Sequence, residues 1–193
     1  MKSRVTTEQG DSGKSRTLGG EVLEKSHAIF ECCGWLDSLR AYTAILRLDM
    51  AEQQPEEYDE LNRCLLWLIH CYFLMGAACN DPANKHPEYR KGDIGPEHVA
   101  KLEDEQERLE TVLHLPKAFI ASATNRLAAQ ADYAATMART FERHLVRLKE
   151  VEPAFDAVSM LAFANRLSDY FYVLARYLEE DRHHVVDYRI LED

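Results

Sequence analysis

From Ala28 onward the apolar residues recur at three- and four-residue steps, the period of an amphipathic helix. Phe30, Cys33, Asp37, Ala41, Ala44, Ile45 and Leu48 share one such face, which the spacing predicts to be the buried one. Pro55 interrupts the run. Glu56 and Glu57 follow it and suit the first turn of a second helix, where exposed backbone N–H groups favour negative charge. That helix is expected to reach about Cys79 and to be central, because its second half is apolar on nearly every side.

Residues 80–95 gather Asp, Asn, Gly and Pro and read as a loop. Pro96 then opens a charged helix ending near Leu113, whose narrow face of Val99, Leu102, Gln106 and Leu109 places it on the outside. A long helix is expected over residues 122–149, with a stripe of Leu127, Ala131, Ala134, Ala138, Phe141, Leu145 and Leu148. After Pro153 a last helix carries Phe155, Leu161, Leu167, Phe171, Leu174 and Leu178. No strand-length alternation and no internal repeat is visible. The prediction is an all-α, up-and-down five-helix bundle forming a single domain, with a polar N-terminal loop (1–27), the bundle (28–182) and a C-terminal tail (183–193).

Composition narrows the partners. Lys and Arg total 23 against 33 Asp and Glu, a formal net charge of -10 over 193 residues. So acidic a chain repels phosphate backbones, and no nucleic-acid partner is expected, although one anion pocket needs only a few local donors. Residues 1–20 are polar and lack the apolar core of a secretory leader, and the apolar stretch 64–79 is short for a bilayer and holds His70. The expectation is a cytoplasmic protein with no membrane segment. Cys32, Cys33, Cys64, Cys71 and Cys79 are odd in number, sit in apolar stretches and lack zinc-site spacing, which fits buried reduced thiols. His183 and His184 lie in the charged tail and are expected to be solvated.

Four polar clusters interrupt this pattern. Gly10-Asp11-Ser12-Gly13-Lys14-Ser15 ends like a phosphate-binding P-loop, but Glu8 stands where that motif needs its first glycine, and no apolar strand precedes it. The P-loop fold is therefore set aside. The same residues still offer backbone N–H groups, hydroxyls and an ammonium to a polyphosphate, or else form a flexible tail. Glu31, Gly34 and Asp37 lie within two helical turns, and Asp37 on the apolar face would need a cation, an N–H donor or a ligand. Arg139, Glu142 and Arg143 include a three-residue spacing that suits an intrahelical ion pair. Asn165, Ser168 and Asp169 line one side of an otherwise apolar helix, as a network or the floor of a pocket would.

In spelling and order these clusters resemble the PduO-type ATP:cob(I)alamin adenosyltransferases. That family opens with Thr-Arg-Thr-Gly-Asp-x-Gly, then Gly-Gly and a Lys, matched by Thr7, Gly10-Asp11-Ser12-Gly13, Gly19-Gly20 and Lys25. Its first helix carries Glu-x-x-Gly-x-x-Asp, as at Glu31, Gly34 and Asp37. Its last helix carries Asn-Arg-Leu-Ser-Asp and then Ala-Arg, as at Asn165 to Asp169 and Ala175-Arg176. Two stretches depart. Phe-Ile-Leu-Pro-Gly-Gly reads Phe119-Ile120-Ala121-Ser122-Ala123-Thr124, and two of three family arginines on the long helix are Ala135 and Thr140.

The resemblance implies a homotrimer that binds ATP between subunits, with a corrinoid such as cobalamin in an adjoining pocket. Thr7, Gly10, Asp11, Gly13, Lys14, Ser15 and Lys25 would hold the triphosphate with Mg²⁺. Arg139 would fork onto a phosphate, oriented by Glu142, and Asn165 would contact the nucleotide. Phe119 would displace the lower axial ligand of the corrinoid, with Asp169 nearer that end, so Arg139, Phe119 and Asp169 are the residues implied for catalysis. Asp37 would face a subunit interface without its family arginine partner, while Lys14 and Arg16 could stand in for lost positive charge. A flavin-type reductase and an adenosylcobalamin-dependent enzyme are the implied partners. A binding paralogue without transfer chemistry, and a scaffold without either ligand, are the alternative readings.

Overall fold

Helix α1 (Ala28–Gln53) begins where the His27 ring accepts the Ile29 N–H at 3.3 Å, satisfying one of the donors a helix start leaves free. It is followed by α2 (Asp59–Asn80), α3 (Pro96–Glu110), α4 (Arg126–Val151) and α5 (Val158–Leu178) in a computed structural model that describes residues 6, 8, 10–54 and 56–192. Pro55, the expected breaker between α1 and α2, lies outside the described residues. Pro96 takes the first position of α3, and His98 Nδ1 accepts the Gly95 N–H at 3.1 Å. Asn125 caps α4 by accepting the Ala128 N–H at 2.9 Å. The fold is the expected all-α bundle of five helices.

Helix α4 is the hub, packed on α5 along one side and on α1 along the other, with α2 against α1 and α3 against α5. The buried Ala128, Ala131, Ala134 and Ala138 of α4 explain this, since small side chains let neighbouring helices approach closely. Helix α2 is therefore not central. It buries Leu61, Leu65, Leu68, Tyr72 and Met75 but leaves Phe73 62% exposed. By length and mean hydropathy it could cross a membrane, yet 44% of that stretch is buried in the bundle.

The expected buried face of α1 also needs correction. The helix buries Ile29, Cys32, Leu36, Leu39, Leu46 and Met50, and it leaves Ile45 and Leu48 exposed. Apolar residues occupy more than one side of α1, and periodicity cannot say which stripe is covered; the stripe with the bulkier leucines is the one that packs. Asp37 consequently stands in solvent, its side chain 72% exposed.

Short strands are present where none was expected. Strands β1 (Lys14–Arg16) and β2 (Val22–Glu24) form an antiparallel hairpin, and β3 (Ile120–Ser122) pairs antiparallel with β4 (His184–Val185). Segments of two or three residues are too brief to display alternation. Pairing of β3 delays α4 to Arg126, later than the expected start, and draws the C-terminal tail back onto the bundle.

Candidate functional site

The N-terminal hairpin is built around glycine. Gly13 donates its N–H to Gly10 O at 3.2 Å, and Lys25 N–H donates to Gly13 O at 2.8 Å. Gly13 has φ 80° and Gly20 φ 83°, left-handed conformations that glycine adopts without steric cost. At Gly10 the reason is proximity: an added Cβ would lie 2.8 Å from Lys25 Nζ. The turn thus gathers Gly10, Gly13 and the Lys25 ammonium in one place. The hairpin is anchored to the end of α2 by Leu18 N–H, which donates to Asn80 Oδ1 at 2.6 Å, and by the Lys85–Glu21 ion pair. Thr7 lies outside the described residues.

Alternation along β1 places Lys14 and Arg16 on one face and Ser15 on the other. Lys14 pairs with Glu24 at 3.4 Å, and Arg16 Nη1 donates to Gly20 O at 2.9 Å. Both extra cations are thus engaged within the hairpin itself.

The second cluster joins α4 to α5. Asn165 Nδ2 donates to Glu142 Oε1 at 3.2 Å, and Asn165 Oδ1 accepts from Arg166 Nη1 at 2.8 Å. Arg166 Nε reaches Glu103 of α3 at 2.7 Å, and Arg166 Nη1 lies 3.6 Å from Asp169. Arg139 is exposed and has no hydrogen bond or ion pair among the described residues. Glu142 therefore pairs with Asn165 rather than with Arg139, contrary to the intrahelical pair that spacing allowed. Ser168 is buried and donates to Asn165 O at 3.0 Å within its own helix, so the expected row of three polar groups divides into a surface network and a satisfied hydroxyl. Arg143 Nη2 donates to Thr140 Oγ1 at 2.9 Å, while Ala135 is buried in the core. Among the described residues no hydrogen bond or ion pair joins the hairpin to Arg139, Glu142 or Asn165.

Asp37 accepts from Arg40 Nε at 3.3 Å, one turn along α1, so its partner is in the same helix. Beside it a cleft of about 540 Å³ opens between the hairpin, α1 and α2, bordered by Arg16, Leu18, Asp37, Arg40 and Phe73. Glu31 and Gly34 border a smaller recess of about 230 Å³ with Trp35, whose ring stacks on His144 of α4 at 5.8 Å. A Cβ on Gly34 would meet nothing within 4 Å, which leaves that helix face open.

Phe119 projects from the segment joining α3 to α4, 81% exposed. Its carbonyl accepts the Val186 N–H at 2.8 Å, immediately before Ile120 pairs with Val185. His183, expected to be solvated, instead has a side chain only 4% exposed and donates from Nδ1 to Glu179 Oε2 at 2.5 Å. The four-residue spacing of Glu179 and His183 at the end of α5 was the available signal for this pair. The cysteines are free. Burial pushes the Cys33 thiol up to about 12, Cys64 to about 11 and Cys71 to about 12. The hydrogen bond with Cys32, followed by burial, raises Cys79 well above the usual thiol range.

Comparison with known proteins matches the chain over nearly its whole length. The chain is 26% identical over 174 residues to the human corrinoid adenosyltransferase MMAB, covering 90% of this chain and 68% of that one. It is 30% identical over 179 residues to the corrinoid adenosyltransferase PduO of Citrobacter freundii, covering 93% of this chain and 51% of the relative. The chain thus spans about half the length of that PduO relative. Among solved structures, a variant PduO-type ATP:corrinoid adenosyltransferase from Lactobacillus reuteri, complexed with cobalamin and ATP, superposes with a TM-score of 0.82 at 25% identity, covering 96% of this chain and 97% of that one. A family described as cobalamin adenosyltransferase matches residues 5–178, from the glycine hairpin to the end of α5. With bundle, hairpin and α4–α5 cluster all inside that span, the chain belongs to the cobalamin adenosyltransferase family.

Proposed function

We propose that this protein transfers the 5′-deoxyadenosyl group of ATP to a reduced corrinoid, cob(I)alamin or a relative, and releases triphosphate. The observation that carries the reading is the likeness, over 96% of the chain, to an enzyme complexed with both cobalamin and ATP. In this reaction the substrate's cobalt supplies the electron pair. The cobalt–carbon bond forms as the C5′–oxygen bond breaks, and that bond's electrons leave with the triphosphate. The protein's work is to hold the two centres in line and to stabilise the departing charge.

The turn at Gly10 and Gly13, with the Lys25 ammonium beside it, would receive the phosphates, joined by Thr7, Asp11, Lys14 and Ser15. Mg²⁺ would arrive on the triphosphate, with Asp11 and Ser15 offering the hard oxygen ligands it takes. Arg139, with no ion pair among the described residues, would be available to a phosphate, while Glu142 and Asn165 hold each other for the nucleoside. Among the described residues, hairpin and α4–α5 cluster share no hydrogen bond or ion pair within one chain. That separation favours a homotrimer whose site takes the hairpin from one subunit and the cluster from the next. Phe119, exposed at the bundle end, would cover the lower corrin face, and the family resemblance assigns Asp169 to the corrinoid end of the site. We place the protein in the cytoplasm, fed by a flavin-type reductase and serving an adenosylcobalamin-dependent enzyme.

One observation favours a second reading, a paralogue that binds ATP or corrinoid without transfer. Ala135 is buried and Thr140 donates to Thr136 O at 3.0 Å, so neither supplies the charge of the family arginine. Anaerobic incubation with ATP, Mg²⁺ and chemically reduced cobalamin separates the two. Protein-dependent adenosylcobalamin supports transfer, and ligand binding without product supports the paralogue.

A further inference from the structure

The segment that carries Phe119 is hydrogen-bonded to the end of α5 and the residues that follow it. His114 donates to Asp181 from both its backbone N–H and its ring Nδ1, each at 3.1 Å. Val186 N–H donates to Phe119 O, β3 pairs with β4, and Ser122 Oγ lies 3.2 Å from His184 Nδ1. Thr124 N–H donates to Glu179 Oε1 at 3.2 Å, and Asn125 Nδ2 to Leu178 O at 2.7 Å. Each of these partners lies within residues 178–186. The segment from His114 to Asn125 is thereby clamped to the C-terminal strand, with Phe119 at its exposed crest.

The clamp turns on Glu179. This carboxylate is 0% exposed and receives Thr124 N–H on one oxygen and His183 Nδ1 on the other, with Arg176 Nε at 3.5 Å. Arg176, itself 2% exposed, is tethered by Nη2 to Asp132 of α4 at 2.5 Å. Straight after Glu179 the chain reverses through two left-handed non-glycine residues, Glu180 (φ 50°) and Asp181 (φ 59°). Such conformations cost about 1 kcal/mol or more each and persist only where their surroundings hold them. Glu179 supplies that hold: it fixes the start of the reversal through Arg176, its end through His183, and the facing segment through Thr124.

We propose that Glu179 is a positioning residue for corrinoid binding, acting through Thr124 and His183 to set the strand pair that presents Phe119. The inference rests on the adenosyltransferase reading and adds a buried residue that touches neither substrate. A buried charge that loses its partners destabilises its surroundings far more than an exposed one. The consequence here is local, because the network closes over one end of the bundle rather than its core.

The test compares wild type with Glu179→Gln, which keeps side-chain size and an acceptor for Thr124 while removing the charge shared by Arg176 and His183. His183→Leu and His183→Asn form a second pair. Asn retains an N–H donor toward Glu179, and Leu retains only apolar volume. Hydrogen exchange should quicken by about tenfold in residues 114–125 of Glu179→Gln and His183→Leu, with α1 unchanged, while His183→Asn stays near wild type. In anaerobic turnover the same two variants should raise the KM for cobalamin by about tenfold and leave the KM for ATP within about twofold. Unchanged exchange in both, a parallel rise of both KM values, or a Leu variant that outperforms Asn would overturn the proposal. A wild type that makes no adenosylcobalamin would sink the functional reading instead, and the exchange arm would still decide whether Glu179 holds the Phe119 segment.

Discussion

Asn165 of α5 donates its side-chain amide to Glu142 of α4 at 3.2 Å, so two polar side chains from adjacent helices hold each other in place. The exchange frees Arg139, three residues before Glu142, from the intrahelical pair that its spacing would permit. An uncommitted guanidinium beside a fixed carboxylate–amide pair is suited to an incoming anion. Replacing Asn165 with Ala should lower kcat/KM for ATP by about 10- to 100-fold, because a charge-assisted contact is lost. The melting temperature should barely move, since Asn165 is exposed. Steady-state kinetics beside thermal unfolding checks both; equal losses in activity and stability would contradict this arrangement.

Gly10 is the hairpin position that lies against the Lys25 ammonium. A methyl group there would lie 2.8 Å from Lys25 Nζ, and the flexible end of that lysine is what must yield. Gly10→Ala should therefore displace the ammonium without unfolding the bundle, raising the ATP dissociation constant by about tenfold. Titration calorimetry with ATP and Mg²⁺ measures it, and wild-type affinity would show that Lys25 does not meet the phosphates.

Phe119 is 81% exposed, so its ring adds little to the core. Phe119→Ala should keep stability within about 0.5 kcal/mol of wild type, as surface changes do, while lowering turnover with cob(I)alamin by at least about tenfold. A large fall in melting temperature would mean that the ring packs against protein rather than substrate.

Burial holds Cys33 near about 12, Cys64 near about 11 and Cys71 near about 12, so these thiols stay protonated at neutral pH. The thiolate is the reactive form. A thiol-reactive chromophore should therefore label the native protein slowly, by at least about 100-fold relative to a free cysteine, and label all five cysteines in denaturant. Rapid labelling of Cys33, which borders the larger cleft, would show that the cleft opens further than the structure indicates.

The bundle was legible because α4 and α5 carry single strong stripes: Leu127 through Leu148 and Leu167 through Leu178 are buried as their spacing requires. The buried stripe of α1 is not legible in the sequence, because apolar residues cover more than one of its sides and only packing decides between Cys33 and Leu36. The pairing of β3 with β4 is not legible in the sequence because its partners lie more than sixty residues apart, and no local signal spans that distance. The motifs point to candidate site residues through family spelling. The pairing of Glu142 with Asn165, the approach of Lys25 to Gly10 and the burial of His183 are relations between elements, which a linear pattern does not carry.

The most direct test of the account is anaerobic turnover of wild type beside Arg139→Ala, with adenosylcobalamin and triphosphate both quantified. The account predicts the two products in equal amounts from wild type, despite Ala135 and Thr140, and a loss of at least about 100-fold in Arg139→Ala. Binding of ATP and cobalamin by wild type with no adenosylcobalamin above the protein-free control would contradict it.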